Sequence, residues 1–433
     1  MPASEQPAPS VDFLLSENHR LKRAVEELSI LNDLARAIGA SYDLQDILHT
    51  IVRRSLKALH AEQGVITLVD EQPDTPMRTL VRTMVSSSDR QPFELHQSLL
   101  GWMHINKTAL IINDPDADEH FRGVQWDESI NSLLCVPLIV KSELRGMLTI
   151  YNKKGFEDFS ADDERVLTII AAQSAQVIEN ARLYVQEQAL VRMQEEMRLA
   201  YNIQINLLPK GPPKAPGYDI AGKSIPAQNV GGDFYNFIRV DTPRLAVCLG
   251  DISGKGISAA LLMANLQATI RGQTHMEASA TSCIQRANTL LYQSTGPSKF
   301  ATAFYGILDV DQHQFSYCNA GHNPPFLYTD GDGPLSLQTG GVVLGFLEEA
   351  EFDESTVPLQ PGDLLVIYSD GITEAMNAGE EEFEEERLQS IIREHRDAPS
   401  DTIIEKIIEA VEMHADGAPQ ADDMTLVVIR RNV

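Results

Sequence analysis

Four aspartates stand at the ends of apolar, strand-like runs in the second half of this 433-residue sequence. Asp251 and Asp370 close such runs, whereas Asp233 and Asp422 open them. Because neighbouring antiparallel strands begin and end at the same sheet edge, we expect the four carboxylates to meet at one rim. Crowded like charges take up protons or hold cations, and hard oxygen ligands favour Mg²⁺ or Mn²⁺ over zinc. The pattern therefore predicts a divalent metal centre.

A lone aspartate at a strand end is also typical of a turn, so the surrounding residues carry most of the argument. These segments are QINLLP at 204–209, VGGDFY at 230–235, GDISGKG at 250–256, AAL at 259–261, FATAF at 300–304, AGHNPP at 320–325, SDGITEA at 369–375 and DDMT at 422–425. In this order they resemble the metal-dependent protein phosphatases (PPM, type 2C), in particular the bacterial branch of stage II sporulation protein E and RsbU. The resemblance covers about half of the chain.

The resemblance implies a dinuclear Mn²⁺ or Mg²⁺ site. Asp251 would bridge both ions, and the carbonyl of Ile252 would be a further ligand. Asp370 and Asp422 would complete the shell of one ion, and Asp233 would serve the other. The ions would activate water for attack on phosphoserine or phosphothreonine, with no covalent phosphoenzyme. In this branch the substrates are phosphorylated anti-anti-sigma proteins, which are the predicted partners.

Several alternatives stay open at this point. His322 either protonates the leaving oxygen or lies in a structural turn. A catalytically silent, partner-binding scaffold with the same fold is the alternative to an enzyme, although a decayed site is expected to lose ligands and all four aspartates are present. A metal-dependent phosphodiesterase is a further alternative, which the acidic, aromatic-poor site region disfavours.

A second resemblance lies in the first half of the chain. The segments are SLLGW at 98–102, LCVPL at 134–138, GMLTI at 146–150, Asn152-Lys153 and FSADDE at 159–164. Their order and spacing resemble a GAF domain over residues 30–185. GAF domains bind cyclic nucleotides, tetrapyrroles or other small molecules, or only form dimers. The resemblance implies an α+β sensory domain whose ligand is unknown.

Helical patterns connect these regions. Residues 1–10 predict a flexible leader, and heptad spacing over 11–38 predicts a coiled-coil helix in a parallel homodimer. A lone amphipathic helix packed on its own domain is the alternative. A linker or switch helix is predicted over 160–210 and ends at a proline. A phosphatase domain with an α-β-β-α sandwich follows over 215–433, which makes the chain an α/β multi-domain protein.

Composition limits the classes of partner. The formal net charge of −27, from 62 acidic and 35 basic residues, argues against nucleic acid and anionic membranes. No apolar stretch reaches the length needed to cross a bilayer, and no signal-peptide pattern is present, so we expect a cytoplasmic protein. The four cysteines are widely spaced and predict buried free thiols rather than a zinc site.

Overall fold

The computed structural model describes residue 18 and residues 44–70, 78–79, 83–86, 97–122, 124, 126–276, 279–295, 299–331 and 333–432. The predicted leader at 1–10, and all but Asn18 of the predicted coiled coil at 11–38, lie outside the described residues. The chain divides into two compact units, Met1–Val191 and Arg192–Val433.

The first unit is built on one antiparallel sheet. Its strands are β1 (Ala61–Asp70), β2 (Arg78–Thr79), β3 (Thr83–Ser86), β4 (Leu110–Ile112), β5 (Leu133–Val140) and β6 (Glu143–Lys153). They are ordered β2-β1-β6-β5-β4, and β3 also pairs with β1. Its helices are α1 (Leu44–Leu59), α2 (Gln97–Asn106) and the 3-10 turn Glu119–Phe121. This arrangement confirms the predicted α+β domain.

Alternation along β1 divides the apolar residues between two layers. Ile66 packs in a cluster with Ile51 of α1 and Ile170 of the long helix that follows the sheet. Its neighbour Val65 points to the opposite face, where it packs with Met103 of α2. The sheet is therefore covered by helices on both faces, as the nearly continuous apolar run VITLV at 65–69 requires.

The long helix α3 (Ala161–Leu207) runs through the boundary between the two units. It begins with a capping box, in which Asp163 N–H donates to Ser160 Oγ at 3.3 Å and Ser160 N–H donates to Asp163 Oδ2 at 2.8 Å. Leu190 and Met193, three residues apart on the predicted heptad seam, are exposed along its second half. Exposed apolar residues at this spacing fit the predicted pairing across a dimer, which stays a prediction.

The second unit contains two sheets. The strands are β7 (Tyr218–Ile225), β8 (Phe234–Arg239), β9 (Arg244–Ile252), β10 (Ala301–Asp309), β11 (Gln314–Ala320), β12 (Phe326–Tyr328), β13 (Pro334–Ser336), β14 (Gly340–Gly341), β15 (Ser355–Pro358), β16 (Leu364–Tyr368) and β17 (Met424–Arg431). The first sheet has the order β14-β11-β10-β9-β8 with β15 on β11, and the second has the order β13-β12-β16-β17-β7. The helices are α4 (Ile257–Thr274), α5 (Ala280–Ser294), α6 (Asp370–Thr373), α7 (Glu384–Glu394) and α8 (Ser400–Ala415).

Three apolar clusters hold the layers of this unit together. Helices α4 and α5 pack on the first sheet, with Met263 against Cys248. Leu249 and Ile367 belong to the cluster between the two sheets. Helices α7 and α8 cover the second sheet through residues such as Ile407. These four layers confirm the predicted α-β-β-α sandwich.

Two smaller expectations concern thiols and membrane spans. All four cysteines are buried and free, as their apolar surroundings predict. Within the described ranges, no helix is both long enough and apolar enough to cross a bilayer.

Candidate metal centre

The first sheet of the second unit places Asp233 beside Asp251. Strands β8 and β9 pair antiparallel with Phe234 opposite Gly250. Asp233, immediately before β8, therefore comes next to Asp251, the residue after Gly250 on β9. Asp233 is only 5% exposed, and its Oδ2 has no hydrogen-bond partner among the described residues. A buried, unpartnered carboxylate oxygen is costly, which points to a positively charged ligand at this position.

The second sheet supplies the other two predicted ligands. Asp370 begins α6 directly beyond β16, and Asp422 lies just before β17, with which β16 pairs antiparallel. The hydroxyl of Ser369 joins the two strand ends, because it donates to Asp423 O at 3.1 Å and accepts from Thr425 N–H at 2.9 Å. One end of each sheet therefore contributes two aspartates.

Burial and mutual repulsion shift the pKa values of three of these carboxylates upward. Burial, followed by the charges of Asp370, Asp422 and Asp423, raises the pKa of Asp251 to about 7, although a hydrogen bond with Asp233 acts in the opposite direction. Burial, then Asp251 and Asp423, raises the pKa of Asp233 well above its usual value. Burial and Asp422 also raise the pKa of Asp370. Bound cations would relieve this repulsion.

The donor set matches hard divalent cations. A Cβ on Gly232 would lie 2.9 Å from the carbonyl oxygen of Ile252 and 3.4 Å from Asp251 Oδ1, so the glycine keeps the space beside both oxygens open. Carboxylate and carbonyl oxygens are the ligands that Mg²⁺ and Mn²⁺ prefer. The predicted ligands, Ile252 included, therefore fit the expected metals in chemistry.

The carboxylates lie at one rim but are not arranged as a complete set of metal ligands. Over the described part of the chain, no three His, Cys, Asp or Glu side chains form a ready metal-binding group. Lys255 lies at this rim, with its Nζ 3.0 Å from Asp422 Oδ2 and donating to Ala421 O at 2.5 Å. The ammonium group supplies a positive charge at the place where Asp422 would otherwise face a metal. Closing the site would require Asp422 to exchange this partner.

Asp423 is a site residue that the sequence analysis missed. It is buried, and its carboxylate accepts hydrogen bonds from the backbone N–H groups of Ala227 at 2.8 Å, Gly232 at 2.6 Å and Asp233 at 3.2 Å. It thereby holds the loop that presents Asp233. The only signal in the sequence is the doubled aspartate at 422–423, which does not distinguish a metal ligand from a loop anchor.

The structure favours the structural role for His322. This residue is 4% exposed; its Nδ1 lies 2.8 Å from Thr302 Oγ1, and its Nε2 lies 3.1 Å from the carbonyl oxygen of Tyr368. Burial lowers the pKa of His322 to about 4. A neutral imidazole with both nitrogens engaged is a poor general acid, so the turn interpretation is the better one.

The end of helix α3 contacts the loop that carries Asp233. Gln204 Nε2 donates to Gly231 O at 2.6 Å, and Gly231 N–H donates to Gln204 Oε1 at 3.0 Å. From α4, Gln267 donates to the carbonyl oxygen of Leu207 at 2.7 Å. The last turn of α3 is thus attached to the candidate site within the second unit.

The raised pKa of Asp251 predicts a pH effect on the metal-free protein. Because the folded state binds this proton more tightly than the unfolded state, stability falls as the pH rises from the ordinary pKa of 3.8 through about 7. The slope is at most about 1.4 kcal/mol per pH unit for one proton. Thermal unfolding in EDTA across this range should show the decline.

The matched comparison is Asp251→Asn, which removes the titrating group and should flatten this part of the curve. Adding Mn²⁺ to the wild-type protein should also remove the decline, because a bound cation stabilises the ionised carboxylate. Identical pH profiles for the wild-type protein and the Asp251→Asn variant would contradict the prediction.

Two family profiles match the chain. The profile described as stage II sporulation protein E (SpoIIE) matches residues 241–432, and the profile described as GAF domain matches residues 41–179. The chain is 31% identical over 256 residues to the phosphoserine phosphatase RsbU of Bacillus subtilis, covering 58% of this chain and 75% of RsbU. It is 24% identical over 248 residues to the phosphoserine phosphatase RsbP of the same organism, covering 56% of this chain and 59% of RsbP.

A solved structure shares the sandwich fold. The SiaA-PP2C domain of Pseudomonas aeruginosa aligns with a TM-score of 0.50 and 20% identity, covering 56% of this chain and 98% of that domain. This likeness concerns the fold alone, whereas the match to RsbU also concerns the sequence. The chain therefore belongs to the family of PP2C-type serine phosphatases that contains RsbU and SpoIIE, and it carries a GAF domain ahead of the phosphatase domain.

Proposed function

We propose that this phosphatase hydrolyses phosphoserine or phosphothreonine on a cytoplasmic regulatory protein, an anti-anti-sigma factor. The reaction would take place at the rim formed by Asp233, Asp251, Asp370 and Asp422 with two Mn²⁺ or Mg²⁺ ions. The observation that carries the proposal is the buried Asp233 carboxylate, whose Oδ2 is unpartnered among the described residues and which lies beside Asp251. The likeness to RsbU supports the choice of a phosphoprotein substrate.

Each of the two sheets would supply two of the four aspartate ligands. Asp233 and Asp251 would hold cations from the first sheet, and Asp370 and Asp422 from the second, with the Ile252 carbonyl as a further ligand. When bound, the ions would activate water and neutralise the phosphoryl oxygens. A site of this kind is needed here because the net charge of −27 repels phosphate.

Nucleophilic catalysis by a thiol finds no support at this rim. Cys248 lies within the β9 strand and is buried, and burial raises the pKa of its thiol. A neutral, inaccessible thiol cannot attack phosphorus. This argues against a phosphocysteine intermediate at Cys248.

Regulation would pass through helix α3. The helix starts against the sheet of the GAF domain and ends at Gln204 and Leu207, which are hydrogen-bonded to the catalytic unit. We infer that pairing of this helix in a parallel homodimer adjusts the Gly231 loop and thereby the metal affinity. An unidentified ligand of the GAF domain would set the balance.

The proposed activity is tested by phosphate release with and without Mn²⁺. The full chain should hydrolyse para-nitrophenyl phosphate and a phosphorylated anti-anti-sigma protein only when the metal is present. Inactivity toward both would favour the scaffold, and hydrolysis of para-nitrophenyl phosphate alone would remove the substrate claim. Release from a diester substrate would favour a phosphodiesterase.

Substitution of Gln204 tests whether helix α3 affects the metal affinity. Gln204→Ala removes both hydrogen bonds to Gly231, in the loop that carries Asp233. The affinity for Mn²⁺ should therefore change by about tenfold, which is the lower end of the effect of removing a residue that orients a metal ligand. Isothermal titration with Mn²⁺ measures the change. The control is Gln194→Ala, at an exposed position of the same helix.

Equal affinities in these two variants would contradict the coupling. A truncated chain that starts near Tyr218 gives a second test, because it lacks the whole helix. Full activity and unchanged metal affinity in that truncation would also count against regulation through α3.

A further inference from the structure

A cavity of about 250 Å³ opens beside the candidate metal centre, within the second unit. One wall is formed by α6 and the residues that follow it, including Ala375 and Met376. The opposite wall is formed by the end of α8 and the loop after it, including Val411 and Ala418. The cavity is smaller than the roughly 300–1,000 Å³ of typical small-molecule sites, so its size suits a side chain better than a cofactor.

The cavity adjoins two of the predicted metal ligands along the chain. Two of its lining residues, Gly371 and Ala421, are the immediate chain neighbours of Asp370 and Asp422. Consecutive Cα atoms are about 3.8 Å apart, so the cavity lies within a few residues' reach of a phosphorylated side chain bound at the rim. A segment of substrate protein could therefore occupy the rim and the cavity at the same time.

Hydrogen bonds within the unit hold the cavity walls in place. Gln420 Nε2 donates to the carbonyl oxygens of Ile225 at 3.0 Å and Asp422 at 2.8 Å, which ties the loop after α8 to the second sheet. His414 Nε2 lies 3.0 Å from the carbonyl oxygen of Glu381, which ties the end of α8 to the segment after α6. A cavity that is formed before binding lowers the entropy lost on association.

The edge of the cavity is acidic. Glu412 is exposed and belongs to the lining. Glu374, the immediate chain neighbour of the lining residue Ala375, is also exposed. An apolar interior with an acidic edge is complementary to a segment that presents an apolar side chain and a nearby lysine or arginine.

We propose that this cavity docks the phosphoprotein substrate by receiving an apolar side chain, such as leucine, from the segment that flanks the phosphorylated serine or threonine. A basic residue of the same segment meets the acidic edge at Glu412. The inference rests on the proposed function, and it specifies the chemistry of the sequence around the phosphorylation site.

The experiment uses the full chain and short phosphoserine peptides in which one leucine is moved through the flanking positions of an otherwise alanine-rich sequence. With Mn²⁺, kcat/KM should be about tenfold higher for one leucine position, consistent with burial of one apolar side chain. Ala418→Phe fills the cavity and should abolish this preference. The hydrolysis of para-nitrophenyl phosphate, which does not reach the cavity, should stay unchanged.

A second variant tests the acidic edge without filling the cavity. Glu412→Lys should remove the preference for a basic residue in the peptide, whereas Glu405→Lys, at an exposed position on the same helix, should keep it. Ala378→Phe, at an exposed position outside the lining, is the matched control for Ala418→Phe. Circular dichroism confirms that each variant is folded.

Two outcomes would overturn the docking site: no dependence on leucine position in the wild-type protein, or a dependence that survives in Ala418→Phe. Fluorescence anisotropy of labelled peptides with the metal-free protein separates this inference from the proposed activity. Leucine-dependent binding without any hydrolysis would support docking and refute the enzyme function. Hydrolysis without leucine-dependent binding or preference would support the enzyme function and refute docking.

Discussion

Replacement of Asp251 by alanine is expected to lower the Mn²⁺-dependent hydrolysis of para-nitrophenyl phosphate by about 10²–10³-fold or more, the loss typical of removing one preorganised electrostatic group. Asp251 lies opposite Asp233 and interacts with Asp370 and Asp422, so it is the carboxylate that links the two sheets of the site. In the proposed ligand set, its loss would remove the carboxylate that both ions share. Steady-state kinetics with and without Mn²⁺ measure the loss.

A structural readout accompanies the kinetic one. In the wild-type protein Mn²⁺ should raise the thermal midpoint, because a ligand that binds only the folded state stabilises it. In Asp251→Ala this rise should vanish, whereas the midpoint in EDTA at alkaline pH should increase, since one half-buried like charge has been removed. The control is Asp311→Ala, at an exposed position of the same unit. A variant that keeps both its activity and its Mn²⁺-dependent rise would refute the metal centre.

Replacement of Asp423 by alanine is expected to give the largest loss of stability. The substitution leaves three backbone N–H groups, at Ala227, Gly232 and Asp233, without their acceptor. Gly232 and Asp233 are buried, so each of their N–H groups costs about 1–3 kcal/mol when unsatisfied, whereas that of the half-buried Ala227 costs less. Relief of repulsion with Asp233 and Asp251 offsets part of the total. We expect a net loss of about 2–4 kcal/mol in the free energy of unfolding.

Urea unfolding in EDTA measures this loss apart from any effect of metal. Asp423→Asn retains one carbonyl oxygen and should lose less, and Asp353→Ala, at an exposed position, should change stability by less than about 0.5 kcal/mol. Because the Asp233 loop loses its anchor, Asp423→Ala should also weaken Mn²⁺ binding. Equal stabilities of the Asp423→Ala and Asp353→Ala variants would show that the anchor is not needed.

Local patterns in the sequence determined the elements and the general chemistry of this protein. The apolar run in β1, the capping box at Ser160 and the proline at 209 each act within a few residues, so the strand and the limits of the long helix could be predicted from the sequence alone. The aspartates at strand ends and the segments around them indicated a phosphatase of the PP2C type. Which of these side chains are ligands stays a prediction.

Only the tertiary structure decided the roles that depend on contacts between distant segments. Asp423 anchors a loop about 190 residues earlier in the chain, and Lys255 reaches Asp422 across 167 positions. The burial of His322 under Tyr368 and the cavity beside α8 likewise arise from the packing of separate elements. No local periodicity records such contacts, because they are set by how the two sheets and their helices stack. The sequence therefore determined which groups are present, and the fold decided which of them face each other.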